Sequence, residues 1–415
     1  MLFIKLFKES AFFAWGSVVA NKLRTLLTLL GITIGIFAII SVFSVVDALE
    51  KSIRGSIASL GENVVYIQKW PWEFGSDYPW WRYINRPTPR VSELDEIMRR
   101  TQILDAVVFT ASTSRTVEFG NRSMERITIL TASHDYDKIR SFEIGNGRYF
   151  SPTESFNGRN VALIGANIAQ NLFNEVDPVG KIIKIFGRNI EVIGVFTQEG
   201  DDIFGNSHDD LVLLPVTFVN SFIDVNSDRY NPAILAKGRE NFDNDELIDE
   251  LRGTMRSIRR IKPTADDNFA LNQASLLSTQ FDNVFSVLKI AGWIIGGFSI
   301  LVGGFGIANI MFVSVKERTN IIGIQKALGA KNYFILFQFL TEAVLLSLMG
   351  GIIGLVMVFG ISWLATSILG MNLMLSMKNI MLGINVSVII GLIAGFVPAW
   401  SAARLDPVEA IRTGL

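Results

Sequence analysis

The sequence predicts an α-helical membrane protein with four transmembrane helices and a large mixed α/β extracytoplasmic domain of two lobes inserted between helices 1 and 2. Three observations carry this. Four long stretches lack any ionisable side chain, the flanking Lys and Arg residues favour one side of those stretches, and the long segment after the first one alternates short β-rich runs with turn signals. Of the 415 residues 49% are apolar and the net charge is -1, so overall charge does not separate a membrane protein from a soluble one; the spacing of the charges does.

Residues 1–24 read as an amphipathic cytoplasmic segment. Between Arg24 and Asp47 lie 22 uncharged residues, about 33 Å of helix and close to the hydrocarbon thickness of a bilayer. They define a first span at 25–46. A cleaved signal peptide would have a shorter apolar core than this, and more spans follow. A further 26 uncharged residues separate Lys289 from Lys316, 35 separate Glu342 from Lys378, and 25 separate Lys378 from Arg404. These give a second span at 284–315, a cytoplasmic connection at 316–334, a third span at 335–357 and a fourth at 379–403. Because 35 residues exceed one span, 358–378 reads as an apolar, partly interfacial external return. Residues 404–415 form a cytoplasmic tail. Lys5, Lys8, Lys22 and Arg24 precede the first span, Lys316, Arg318, Lys326 and Lys331 join the second and third, and Arg404 and Arg412 follow the fourth. By the positive-inside rule both termini are cytoplasmic and the domain at 47–283 is outside.

Each span holds a Gly-x-x-x-Gly pair: Gly31 and Gly35, Gly292 and Gly296, Gly350 and Gly354, Gly391 and Gly395. Such pairs let helix backbones approach closely in lipid, and four in four spans predict tight packing that includes a second copy of the chain. Apolar residues continue past the first span at Val46, Leu49, Ile53, Ile57 and Leu60, one face of a helix that Gly61 would cap. Leu277, Phe281, Val284 and Leu288 repeat the pattern before the second span. Two helical stalks packed on each other are therefore expected at the ends of the inserted domain. Inside it, β runs fall at Val64–Gln68, Ala106–Thr110, a hairpin from Arg115 to Leu130 turning near Gly120-Asn121, and Val161–Ile164. A second lobe at about 150–225 would contain a hairpin from Lys181 to Phe196 turning at Gly187-Arg188 and a strand at Leu211–Leu214. Asp245–Arg259 reads as a helix burying Leu247, Ile248, Leu251, Met255 and Ile258.

Chemistry is sparse. There is no cysteine, and the histidines are His134 and His208 alone, too few for a histidine metal cluster. The acidic loop with Asp201, Asp202, Asp209 and Asp210 does not match a calcium-loop spacing and reads as solvated surface. No Gly-x-x-x-x-Gly-Lys-Ser/Thr run occurs, so these residues cannot hydrolyse ATP by a phosphate loop. Glu342 is the single acid deep enough in a span to be weighed as catalytic, and one carboxylate beside Gln338 defines no reaction. The most unusual soluble stretch clusters Trp70, Trp72, Trp80 and Trp81 with tyrosines and prolines. Such aromatics contact a partner or an apolar substrate, cover a lobe interface or dip into the membrane surface, and sequence does not choose. In the cytoplasmic connection, Ile321, Ile324, Ala327 and Leu328 share one face opposite Lys326, and Gly329 ends the helix. A helix lying on the cytoplasmic surface follows, either anchoring the loop or receiving a partner.

That connection carries a resemblance. Ser314-Val315-Lys316-Glu317-Arg318, Ile322 through Ala330 and Gln338 through Ala343 resemble the signature of the MacB and FtsX family of ABC transporter permeases. Asn21–Gly35 resembles that family's entry into its first span, Leu172–Phe196 its periplasmic core motif, and Val397–Arg412 its C-terminal ending. The resemblance is collinear over essentially the whole chain. It implies a homodimer of MacB-type permeases in the inner membrane, bound to two copies of an ABC ATPase that carries the ATP and Mg, with no metal or cofactor on this chain and no nucleic-acid partner. It also implies that Glu317, Arg318, Ile322, Gly323, Ile324, Lys326, Ala327, Leu328, Gly329 and Ala330 form the ATPase-coupling helix. The family's best-studied member fuses its ATPase at the N-terminus; here an amphipathic segment stands there, so an unfused partner is expected. The implied function is mechanotransmission, in which ATP hydrolysis moves the periplasmic domain to drive efflux, with a periplasmic adaptor and outer-membrane exit duct left open. Alternatives are lipoprotein release, FtsX-like envelope regulation and, more distantly, a membrane sensor without an ATPase.

Overall fold

The computed structural model describes residues 22–61, 63–73, 78–174, 176–200, 207–369 and 375–412. Most of the expected amphipathic segment at 1–24 lies outside them. The chain divides into two compact units, one of residues through Lys51 together with Asn283 onward, the other Ser52–Asp282. The predicted fold class holds: four helices long and apolar enough to cross a membrane flank a large α/β domain inserted after the first.

In chain order the elements used below are α1 (Lys22–Ala58), β1 (Val64–Gln68), α2 (Glu93–Arg100), β2 (Leu104–Phe119), β3 (Arg122–Ala132), β4 (Ile144–Gly147), β5 (Val161–Ile164), β6 (Ile182–Ile185), β7 (Arg188–Phe196), β8 (Leu211–Pro215), β9 (Ala233–Gly238), α3 (Asn244–Ile258), β10 (Ala270–Gln273), α4 (Ala274–Glu317), α5 (Thr319–Ala327), α6 (Asn332–Leu369), α7 (Met377–Ala403) and α8 (Pro407–Arg412). Helices α1 and α4 are longer than a bilayer needs because the amphipathic extensions run on without a break. The third membrane helix corrects the sequence reading. Instead of stopping near residue 357 and giving way to an interfacial return, α6 runs unbroken from Asn332 to Leu369, 38 residues in all. The physical reason is that 358–369 contains no proline, and a helix satisfies its own backbone polar groups where an irregular apolar return would leave them bare in lipid.

In the membrane unit, buried residues of all four long helices form one core, including Ile36 and Ile40 of α1, Ile307 of α4, Phe339 of α6 and Ile390 of α7. The eight paired glycines line contacts within the chain. Gly31 backs onto Gly303 and Gly35 onto Ser299, Gly292 and Gly296 receive Val42 and Ile39, Gly350 and Gly354 receive Ile32 and the Thr33 carbonyl, and Gly391 and Gly395 receive Val344 and Ala343. Polar groups knit the same seams: Thr33 Oγ1 donates to the Gly350 carbonyl at 3.1 Å and Asn379 Nδ2 to Asp47 Oδ2 at 3.0 Å. The glycine pairs thus pack this chain on itself and supply no argument for a second copy. Glu50 of α1 accepts from Lys289 of α4 at 2.6 Å.

The inserted domain is built on one sheet, ordered β10-β1-β9-β2-β3-β8-β5-β7-β4, with β6 pairing β2 and β7. Both expected hairpins form, the first with its turn at Gly120-Asn121. At the second, Phe186 and Gly187 both have positive φ, the requirement of a two-residue turn matched to strand twist, so the turn sits one residue earlier than predicted. Residues 150–225, expected as a second lobe, hold β5 to β8; parallel pairing of β8 with β3 joins them to the remaining strands in the same sheet. Alternation puts Val65, Ile67 and Phe109 in one core and Val64, Tyr66 and Val108 in another, one on each face. The first is covered by Ile97 of α2 and by Leu247, Leu251 and Met255 of α3, each of which contributes about 1.5–3 kcal/mol through burial. Arg259 closes that layer with a two-pronged bond to Glu93 at 2.8 and 3.1 Å. The second face is covered by Ile57 at the end of α1, by Leu60 in the turn that follows it and by Leu277 at the start of α4, and Arg54 and Asp282 of the same two helices pair at 2.5 Å. Further along the expected stalk face, Val284 and Leu288 stay exposed.

Candidate functional site

The connection between α4 and α6 is a short helix held from three directions. Arg318 occupies the corner between α4 and α5, and its Nη1 lies 3.2 Å from Glu342 Oε2 of α6. Glu342 is 1% exposed. A charge that deep persists only when paired, so the acid weighed as catalytic is instead the anchor of the corner arginine. On the inward side of α5, Ile322 is 1% exposed and joins the membrane-unit core. Beside it Gly323 leaves a notch, since a Cβ there would stand 2.9 Å from Ala410 Cβ and 3.1 Å from Ile411 Cγ1. Helix α8 fills that notch. Lys326 Nζ completes the clamp by donating to the Leu405 carbonyl at 2.6 Å.

The C-terminus of α5 is fixed by its own backbone. The Ala330 amide reaches the Gln325 carbonyl at 3.0 Å and the Gly329 amide the Lys326 carbonyl at 2.9 Å, with Gly329 at φ +98. This pair of bonds around a left-handed residue is a Schellman ending, and it selects glycine at 329. What α5 presents outward is apolar: Ile321 and Ile324 are about half exposed and Leu328 is 84% exposed. Of the ten residues assigned to this helix, Glu317, Ile324, Ala327, Leu328 and Gly329 face out. Ile322 and Gly323 face in, Arg318 and Lys326 hold the helix in place, and Ala330 is half-buried against the core. Sequence reasoning missed Leu405, Ala410 and Ile411 as the other half of the site. Their signal was the small residue Ala410 beside the apolar Ile411 in the ending after the last span.

The four tryptophans do not form one patch. Trp72 packs on Tyr66 with ring centroids 4.9 Å apart, and its backbone amide donates to Asn272 Oδ1 at 2.9 Å. Asn272 Nδ2 in turn donates to the Trp70 carbonyl at 2.9 Å. Trp80 and Trp81 sit edge to face with each other and are more than half exposed.

The described residues contain no group of three His, Cys, Asp or Glu side chains placed to hold a metal. His208 is buried among Phe142, Phe196 and Tyr136, with Nδ1 2.9 Å from Glu199 Oε1 and Nε2 3.3 Å from the Tyr136 hydroxyl. Burial pushes its pKa below the usual imidazole value, against the pull of Glu199. In the acidic loop, Asp201 and Asp202 lie outside the described residues. The Asp209 carboxylate accepts the backbone amides of Glu199 and Gly200 at 2.9 and 2.8 Å, and Asp210 accepts from Asn167 Nδ2 at 3.1 Å. These two acids shape the loop.

Known proteins match both units. A family described as MacB-like periplasmic core domain matches residues 25–254, and one described as FtsX-like permease C-terminal matches 293–407. An uncharacterized ABC transporter permease of Bacillus subtilis, YknZ, is 30% identical over 97% of this chain and 98% of its own length. Macrolide export ATP-binding/permease proteins MacB are 31% identical in Wolinella succinogenes, over 97% of this chain, and in Salmonella typhi, over 99%. The chain spans about 60% of the length of those MacB relatives. The periplasmic region of MacB from Actinobacillus actinomycetemcomitans aligns with 56% of this chain and 98% of its own at a TM-score of 0.45 and 16% identity.

Proposed function

The chain belongs to the family of MacB- and FtsX-like ABC transporter permeases, and from that membership we propose that it is the transmembrane subunit of a transporter whose ATP is hydrolysed on a separate cytoplasmic ATPase. The observation that carries this reading is the asymmetry of α5. Its inward side is clamped to α6 through Arg318 and Glu342 and to the residues around α8 through Lys326 and Gly323, while Ile321, Ile324 and Leu328 stand in the open. An apolar face on a rigidly held helix is what a partner domain needs in order to push on the membrane helices. The 415 residues contain no phosphate loop of their own.

In this reading the protein lies in the inner membrane as a homodimer, with α5 and α8 in the cytoplasm, where two ATPase subunits dock on the two copies of α5. The lysines and arginines flanking the spans support that orientation. Nucleotide-driven closure of the ATPases moves α4 and α6, and the continuous helices α1 and α4 carry the motion to the periplasmic domain. The work done there is export of a periplasmic substrate, in keeping with the macrolide export named for the MacB relatives.

Copurification tests it. The full chain captures a soluble ATP-binding subunit and stimulates its ATPase activity; Leu328→Asp and Ile324→Asp abolish both while leaving the permease folded. Stimulation and assembly that survive both substitutions would remove α5 from the interface.

A further inference from the structure

We propose that the inserted domain carries a binding site for a neutral, hydroxyl-rich ring of the pyranoside class, in a cavity where Trp72 meets a row of uncharged polar side chains. The cavity holds about 260 Å³, at the small end of ligand pockets. That admits a single sugar ring and excludes a macrocycle, so this is a site distinct from any path for a bulky exported compound.

The cavity follows from a break in strand patterning. Over most of this face the inward positions of β1, β2 and β9 are apolar, with Tyr66, Val108 and Leu235 side by side in register. One step along, the same register brings Gln68, Ala233 and Thr110 together, and Ser112 and Thr128 follow on β2 and β3. Small and polar side chains there leave the face unfilled. The hydroxyls of Thr110, Ser112 and Thr128 line the cavity and make no hydrogen bond to other described residues. Each can both donate and accept.

Asn272, 1% exposed, decides which end of the Gln68 amide meets the cavity. Its Oδ1 accepts the Trp72 backbone amide at 2.9 Å, so its Nδ2 points the other way and donates to the Trp70 carbonyl at 2.9 Å and to Gln68 Oε1 at 3.0 Å. Gln68 Nε2 is left as a donor beside the three hydroxyls. The same bonds fix the peptide that carries the Trp72 ring, which packs 4.9 Å from Tyr66, and Leu130 and Leu211 add to the apolar lining. Aromatic surface held in place this way binds with little further ordering cost.

Charge does not select the ligand. Arg140 lines the cavity, but its donors are committed: Nη1 bonds the Ser59 carbonyl at 2.6 Å, the side chain also bonds the Tyr66 and Tyr136 hydroxyls, and it borders the neighbouring cavity together with Glu199. Burial drives the Tyr66 phenol up to about 12, so it is neutral at physiological pH. An ion entering here would lose hydration and find no uncommitted counter-charge. Water can satisfy the hydroxyls and Gln68 Nε2, yet it leaves the Trp72 ring wet. A pyranoside answers both walls, because its C–H face stacks on an indole ring while its rim of hydroxyls donates and accepts.

The site needs neither ATP nor the proposed partner, so its test is independent of the permease reading. The full chain is placed in phosphatidylcholine nanodiscs and titrated by saturation-transfer NMR, subtracting empty nanodiscs. The probes are the methyl glycosides of glucose, galactose, mannose and N-acetylglucosamine, with cyclohexanemethanol as a ring of similar size that lacks the hydroxyl rim. At least one glycoside binds saturably, and cyclohexanemethanol binds at least tenfold more weakly. The methyl glycoside of glucuronic acid binds within threefold of the glucose compound, because Arg140 has no donor to spare. Thr110→Val, which keeps the shape and removes one hydroxyl, weakens the bound glycoside at least threefold, and Trp72→Ala at least tenfold. Thr128→Trp, which plugs the mouth from an exposed strand position, abolishes binding, and Trp80→Ala, away from the cavity, leaves it unchanged. No saturable binding by any of the four glycosides, cyclohexanemethanol bound as tightly as the sugar, a larger preference for the glucuronide, or undiminished binding in Thr128→Trp overturns the proposal.

Discussion

The two units of this chain solve packing in opposite ways. In the membrane unit contact is made by removing side chains: a Cβ on Gly391 would stand 2.7 Å from Val344 Cα, and one on Gly354 3.0 Å from the Thr33 carbonyl oxygen. In the inserted domain contact is made by adding them, with Phe109, Phe173 and Phe196 buried completely. The difference follows from the solvent. Lipid offers helices no hydrophobic incentive to associate, so van der Waals contact and backbone approach must serve, whereas water drives large side chains inward. The glycine seams between the membrane helices are therefore sensitive to volume gained, and the aromatic layers of the inserted domain to volume lost.

Substitutions that exchange these sensitivities break the comparison or sharpen it. The largest effect is expected from Gly391→Leu, whose side chain meets backbone and cannot be accommodated by rotamer change. The yield of monodisperse protein should fall at least tenfold, while Gly297→Leu and Gly360→Leu, at glycines with open space beside them, leave size-exclusion profiles unchanged. Next comes Phe109→Ala in the inserted domain, expected to cost about 3–5 kcal/mol, measured by denaturant unfolding of the full chain with a probe in that domain. Glu93→Ala leaves the buried Arg259 guanidinium with Asn268 and carbonyl partners but no anion, a loss of about 2–3 kcal/mol. If Arg259→Met in that background restores stability, the pair serves specificity more than stability.

A smaller effect is set by pH. The folded pKa of His208 lies below its unfolded value, so the unfolded chain binds more protons as pH falls below about 6.5. Stability contributed by the neutral, buried ring is present above that pH and declines toward the folded pKa. Melting temperature recorded from pH 7.5 down to 5 should drop more steeply for the natural chain than for His208→Gln. The smallest change is Trp80→Ala, within about 0.5 kcal/mol because its ring is mostly in solvent.

The parts of this fold legible in sequence are those determined locally. Charge-free runs mark all four spans, the 3.6-residue period places α3 to within a residue at its ends, and Gly120-Asn121 marks the first hairpin turn. Contacts between distant segments were not legible. Nothing in 150–225 announces that β8 will lie parallel to β3, and apolar composition from 358 onward is the same for a continued helix as for an interfacial return. The candidate site divides in the same way. The apolar stripe on α5 is visible as a pattern, yet its exposure depends on Gly323 receiving Ala410 and on Arg318 reaching Glu342, pairings that only the assembled helices create.

The seat of α8 on α5 also has a meaning in time. Lys326 waits for a carbonyl 79 positions further along the chain, and Gly323 for a methyl group beyond that. During synthesis α5 therefore emerges with its inner notch vacant, and the notch is filled only after both remaining membrane helices have been made. A polypeptide interrupted in that interval would display a loosely held α5. The rigid surface comes into being late, as a mark of a finished membrane unit, and a partner that requires the rigid form would pass over unfinished ones.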